Sequence, residues 1–124
     1  MRLVTIEELK VFLLSGIFKL QPTQKKLCFP IIRRIYHKMN IGVQFDNINI
    51  DKDLLINGHH RYICSQLLKK SINTNSWASP SQIIVYKWAE IEIDSDDWES
   101  KELIERHNQA DALRSGLNIN ALEV

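Results

Sequence analysis

The sequence predicts a small α+β domain, and three observations carry that reading. Residues 54–56 form an apolar run of strand length that stops at Gly58. Beyond it Tyr62, Ile63, Gln66, Leu67 and Lys70 recur at helical spacing with the apolar members on one face, which predicts a helix over about 58–70. Upstream, residues 45–50 alternate with Ile48 and Ile50 on one face and predict a strand. Asp51-Lys52-Asp53 then turns that strand into the next, and the pair feeds the central helix.

Bulk properties narrow the class. A chain of 124 residues suits one domain, 1–124, with one modest core. Sixteen basic and fifteen acidic residues leave a net charge of +1, so a globally basic nucleic-acid module is excluded and only segregated charge remains. No apolar run approaches the roughly 20 residues of a membrane span. Thr5-Ile6-Glu7-Glu8 puts charge where a signal peptide is apolar. Both points predict no membrane partner and a cytoplasmic setting. Cys28 and Cys64 are far apart and form no Cys-x-x-Cys, so they read as unbridged buried thiols.

The remaining elements follow in chain order. Leu3 and Val4 read as the start of a strand. Thr5 and Glu8 fit a capping box for a helix at about 6–15, with Leu9, Phe12 and Leu13 on one face and Gly16 as C-cap. Residues 17–20 read as a short strand or extended link, and Pro22 keeps Gln21 out of helix. Pro30 opens a second helix that stops at Gly42. Ile31, Ile32, Ile35, Tyr36 and Met39 line one side of it. Arg33, Arg34, His37 and Lys38 line the other, either as a solvated face or as a phosphate-backbone contact. Residues 71–81 read as a long loop, in which Trp77 packs on the core or stacks on a base. Residues 82–93 predict one long or two short strands. Ser95 predicts the next helix start, with Asp96 and Asp97 in the first turn. Asn108 predicts a break before a short last helix stopped by Gly116, and 117–124 a loosely ordered tail.

The chemistry concentrates at 58–61. Gly58 permits a tight turn, and the first turn of the helix behind it offers unpaired N–H groups and the positive end of the dipole. His59, His60 and Arg61 in that turn fit an anion, above all a phosphate. The alternative is two ordinary histidines, one in solvent and one on a carbonyl. Adjacent imidazoles point about 100° apart on a helix, so a metal would need recruits such as Asp51, Asp53 or a phosphate. No phosphate-binding loop of the Walker type, His-Glu-x-x-His or nucleophile elbow occurs.

Asn57-Gly58-His59-His60-Arg61-Tyr62, between an apolar strand and an apolar helix, resembles the signature of the ParB/sulfiredoxin superfamily. ParB-type partition proteins carry Gly-Glu-Arg-Arg at this turn, sulfiredoxins Gly-Cys-His-Arg, and a ParB-like serine kinase group Asp-Gly-His-His-Arg. Gly58 and Arg61 match all three, His60 the last two, and His59 the kinase group alone. Asn57 stands where that group has its aspartate, and the missing cysteine at 59 argues against sulfinic-acid reduction. Pro22-Thr23-Gln24 is a second point of similarity with ParB-like proteins.

The resemblance implies a ParB/sulfiredoxin-like domain over roughly 1–115, a mixed sheet with helices packed around it. It implies catalytic roles for His59, His60 and Arg61, and phosphate binding by Gly58, Arg61, Thr23 and Gln24. Lys25, Lys26, Arg33, Arg34 and Lys38 would contact nucleic acid. The implied activity is a ParB-like nuclease on DNA or RNA, with Mg2+ or another divalent cation as cofactor. Stand-alone domains of this kind also resemble bacterial toxin domains, which implies a cognate immunity protein and delivery into a target cell. The alternatives are a nucleotide-dependent phosphotransferase, with a nucleotide as cofactor, and a non-catalytic nucleotide- or nucleic-acid-binding module. A partition role fits poorly, because no helix-turn-helix follows.

Overall fold

The structure is a computed structural model that describes residues 3–124. It is an α+β fold built on a mixed sheet. β1 (Gln21–Pro22) runs parallel to β4 (Leu54–Asn57), which pairs antiparallel with β3 (Ile48–Asp51). β3 in turn runs parallel to β5 (Thr74–Ser76), giving the order β1-β4-β3-β5. β2 (Lys26–Cys28) and β6 (Glu92–Asp94) form a separate parallel pair. β3 and β4 make the expected hairpin, turned at Lys52 with φ 56°.

The helices start and stop where local chemistry dictates. α1 (Ile6–Ser15) begins at Thr5, whose hydroxyl accepts the Glu8 amide hydrogen at 3.2 Å. α2 (Phe29–Asn40) carries Pro30 in its first turn, and α3 (His59–Leu67) follows Gly58 directly. Leu9, Leu27, Ile32, Ile48, Leu55 and Ile63 are fully buried and join the three helices to the strands. Full burial of each such side chain stabilises by about 1.5–3 kcal/mol. Of the run 54–56 only Leu55 is fully buried, because a strand alternates its faces. Cys28 and Cys64 are buried and unbridged.

Several expectations give way to competing interactions. The strand expected from Phe45 starts only at Ile48, because the Asp46 and Asn47 carbonyls accept from the Arg61 guanidinium at 2.9 and 3.2 Å. The loop at 71–81 contains β5, three exposed polar residues with no alternation to announce them; Trp77 beside it is 58 % exposed and does not pack on the core. Residues 82–93 yield only β6 and a 3-10 turn at Trp88–Glu90. There the buried Trp88 indole, donating to the Leu20 carbonyl at 2.8 Å, anchors the chain in place of a strand.

The C-terminal third differs most. Ser95 does not cap a helix. Asp94 and Asp97 accept the amide hydrogens of Asp96 and Glu99, local turns that compete with helix. The cap is Ser100, which accepts from Leu103 N–H at 3.1 Å and opens α4 (Lys101–Ser115). Asn108 sits buried inside α4 without breaking it, and Gly116 in the left-handed conformation ends it. The tail is not loose: α5 (Ile119–Leu122) docks with Leu122 buried and the Ala121 carbonyl 2.7 Å from His37 Nε2. A solvated face on α2 is also corrected for His37 and Lys38, which are buried, His37 against α5 and Lys38 against Asp111 of α4.

Candidate functional site

β4 delivers the chain to Gly58, where φ 92° and ψ 34° swing it sharply into α3. A Cβ at Gly58 would lie 2.6 Å from Ile48 Cγ2 and 2.8 Å from Arg61 Nη2, so both the conformation and the space demand glycine. The first ladder bond of α3 runs from Tyr62 N–H to the Gly58 carbonyl, leaving the amides of His59, His60 and Arg61 ahead of the ladder.

Both imidazoles are built into the fold. His59 is only 3 % exposed, and its Nε2 accepts the Thr23 amide hydrogen at 3.0 Å. Thr23 itself donates its hydroxyl to the Leu55 carbonyl at 2.6 Å. His60 Nε2 accepts the Cys28 amide hydrogen at 2.9 Å, and its ring stands edge-on to Trp98 at 5.4 Å. Burial pushes the pKa of each down to about 4, with the neighbouring His59 adding to the effect on His60. Each ring is therefore neutral near pH 7 with its proton on Nδ1, because Nε2 is the acceptor. Among the described residues no acceptor pairs with either Nδ1. The Arg61 guanidinium donates to two backbone carbonyls and, among the described residues, pairs with no carboxylate. Burial lowers its pKa, opposed by the charge of Asp46.

These residues line one side of a cleft of about 580 Å³ between the first turn of α3, α2 and α4. The opposite wall holds groups that sequence reasoning did not assign to the site. Glu99 Oε2 lies 3.1 Å from His107 Nε2. Asp111 takes Lys38 at 2.8 Å and Arg114 at 2.7 Å, and Arg114 reaches Asp46 at 3.5 Å. The spacing of His107, Asp111 and Arg114 along one helix face is the only signal that could have found them.

The expected site residues separate into three groups. Gly58, His59, His60 and Arg61 line the cleft together, and Gln24 joins them, its amide nitrogen donating to the Lys26 carbonyl at 2.6 Å. Thr23 acts behind His59 and is not a lining residue. Of the expected nucleic-acid contacts, Lys25 and Lys26 are exposed, Lys26 at 3.9 Å from Glu92, and Arg33 lies over the Phe29 ring. Arg34 is held by Asp97 through two bonds of 2.7 and 2.8 Å and by Glu99 at 2.7 Å. Burial works against its charge, but these carboxylates outweigh it and raise its pKa. Lys38 is buried against Asp111, and Arg34 and Lys38 line the same cleft as Gly58–Arg61.

No family model, curated protein or solved structure matches this chain. No helix among the described residues is long and apolar enough to cross a membrane.

Proposed function

We propose that the cleft at Gly58–Arg61 binds the phosphate of a nucleotide or nucleic acid, in the manner of a ParB-like domain. One observation carries this reading: His59 and His60 both spend Nε2 on backbone amides, so their Nδ1–H groups are left as donors in the first turn of α3. Together with the amides of that turn and a guanidinium without a carboxylate partner, they form a donor set for one anion. The two rings are suited to stabilising negative charge and ill suited to taking a proton, because the basic nitrogen is already engaged. Calorimetric titration with AMP, ATP and a dinucleoside phosphate tests it. Saturable binding that Arg61→Ala removes supports the reading, and no heat with any of the three sinks it.

A second reading is hydrolysis of the bound phosphodiester. The observation that favours it is the His107–Glu99 pair on the opposite wall, since a carboxylate-held imidazole is the arrangement that activates water. Among the described residues no group of three or more His, Cys, Asp or Glu stands ready to hold a metal ion, so a divalent cation would take part of its ligands from the phosphate itself. Plasmid and RNA cleavage with and without magnesium, in wild type and His107→Ala, decides between binding alone and turnover. The phosphotransferase reading lacks a carboxylate at Asn57.

A further inference from the structure

We infer that the α2 face carrying Arg34 and Lys38 is a nucleic-acid backbone surface that the chain's own acidic segment, 94–111, holds shut. The inference rests on the reading that the ligand carries phosphodiesters. Its basis is the pairing pattern on that face. Arg34 donates from both terminal guanidinium nitrogens to Asp97 and a third bond to Glu99, and Lys38 donates to Asp111. A carboxylate forked on a guanidinium occupies the same donors in the same plane as a phosphate would. The segment thus stands where a polyanion would stand. It also forms the opposite wall of the cleft at Gly58–Arg61, through Glu99, His107 and Asp111.

The way α4 is attached makes the mask releasable. Its two buried residues are the polar Asn108 and Asp111, while Leu113 is 89 % exposed. An amphipathic helix is normally held by an apolar stripe, which α4 lacks. It packs against the neighbouring α5, whose Leu122 is buried. Ion pairs near the surface are weak, and a buried pair roughly repays its own desolvation, so lifting α4 costs far less than unfolding the sheet. A strand of phosphates competes for the same cations and gains from counterion release, an advantage the internal carboxylates do not have.

The test compares two double variants of equal charge in the full chain. Asp97→Asn with Glu99→Gln removes charges from the mask and leaves the Lys38–Asp111 pair in place. Glu7→Gln with Glu90→Gln removes two exposed charges elsewhere. Binding of a short fluorescent single-stranded oligonucleotide should tighten at least about tenfold more in the first variant than in the second, with a steeper salt dependence. Equal tightening in both reduces the effect to net charge and overturns the inference. A second measurement needs no variant: hydrogen exchange of the unaltered chain, with and without oligonucleotide. The amides of α4 should lose protection when it binds, and unchanged protection at saturation overturns the inference as well. If AMP binds but no oligonucleotide does, this inference fails and the phosphate site stands. If neither binds, both fail.

Discussion

His60 Nε2 lies 2.9 Å from the Cys28 amide nitrogen, so the imidazole accepts a hydrogen bond at the atom a general base would need free. His59 does the same to Thr23 at 3.0 Å. The two rings tie the first turn of α3 to the ends of β1 and β2, and this tie explains why they are neutral, buried and adjacent. The nitrogen left over on each ring, Nδ1, carries the proton and can only donate.

The tie predicts a pH dependence of stability. Both rings have a folded pKa of about 4, against 6.5 for the ordinary imidazole. Between those values the unfolded chain binds more protons than the folded one. Stability from the two rings is therefore complete above about pH 6.5 and is lost as pH falls toward about 4, on the order of 3 kcal/mol per ring. Asp51, Asp94 and Asp97, held below the usual carboxylate range mainly by hydrogen bonds from Ser79, Trp98 and Arg34, add their loss at lower pH still. Urea denaturation at about pH 7 and about pH 4.5 checks this. His60→Gln, which keeps a neutral acceptor for Cys28, should remove about half the drop, and an unchanged midpoint in wild type would contradict the tie.

Gly58→Ala should destabilise by about 2–4 kcal/mol, because it adds a strained positive φ to contacts of 2.6 Å with Ile48 and 2.8 Å with Arg61. Gly42→Ala also sits at positive φ, at 101°, but meets nothing within 4 Å. It should therefore cost only the backbone strain, about 1 kcal/mol. Equal losses in thermal denaturation would show that the crowding at Gly58 is unimportant.

Asp111→Ala leaves the Lys38 ammonium buried with no carboxylate, and should cost about 3–5 kcal/mol. Replacing both partners, as in Lys38→Met with Asp111→Leu, should cost far less, because the buried charge goes with its partner. Denaturant midpoints for Lys38→Met, Asp111→Leu and the double form the cycle, with Asp111→Ala measured beside them. A double variant as unstable as Asp111→Ala would mean that packing, not charge, holds α4 in place.

The strands and helices that surround the site were readable because their signals are local. Thr5 with Glu8, Pro30, and Gly58 before Tyr62 and Ile63 each mark an element boundary through their own backbone chemistry, and α1 runs over 6–15 as those signals imply. The far wall of the cleft was not readable. Lys38 lies on a polar helix face that reads as solvated, and only the return of Asp111, 73 residues later, buries it. Asp97 holds Arg34 across a similar span, so its sequence reads instead as the acidic first turn of a helix. The histidines show the same limit. Their position in the turn is legible, but the spending of both Nε2 atoms on Thr23 and Cys28 depends on contacts more than 30 residues away.

The most direct measurement is an amide chemical-shift titration of the chain with AMP, in wild type and Arg61→Ala. Saturable shifts are expected, centred on the amides of Gly58, His59, His60 and Arg61, with the first turn of α3 moving before any other helix. Arg61→Ala should weaken that binding by about 2–4 kcal/mol, and Arg61→Lys should restore only part, because the planar fork is lost. Shifts confined to other surfaces, or affinity unchanged in a folded Arg61→Ala protein, would contradict a phosphate site at this turn.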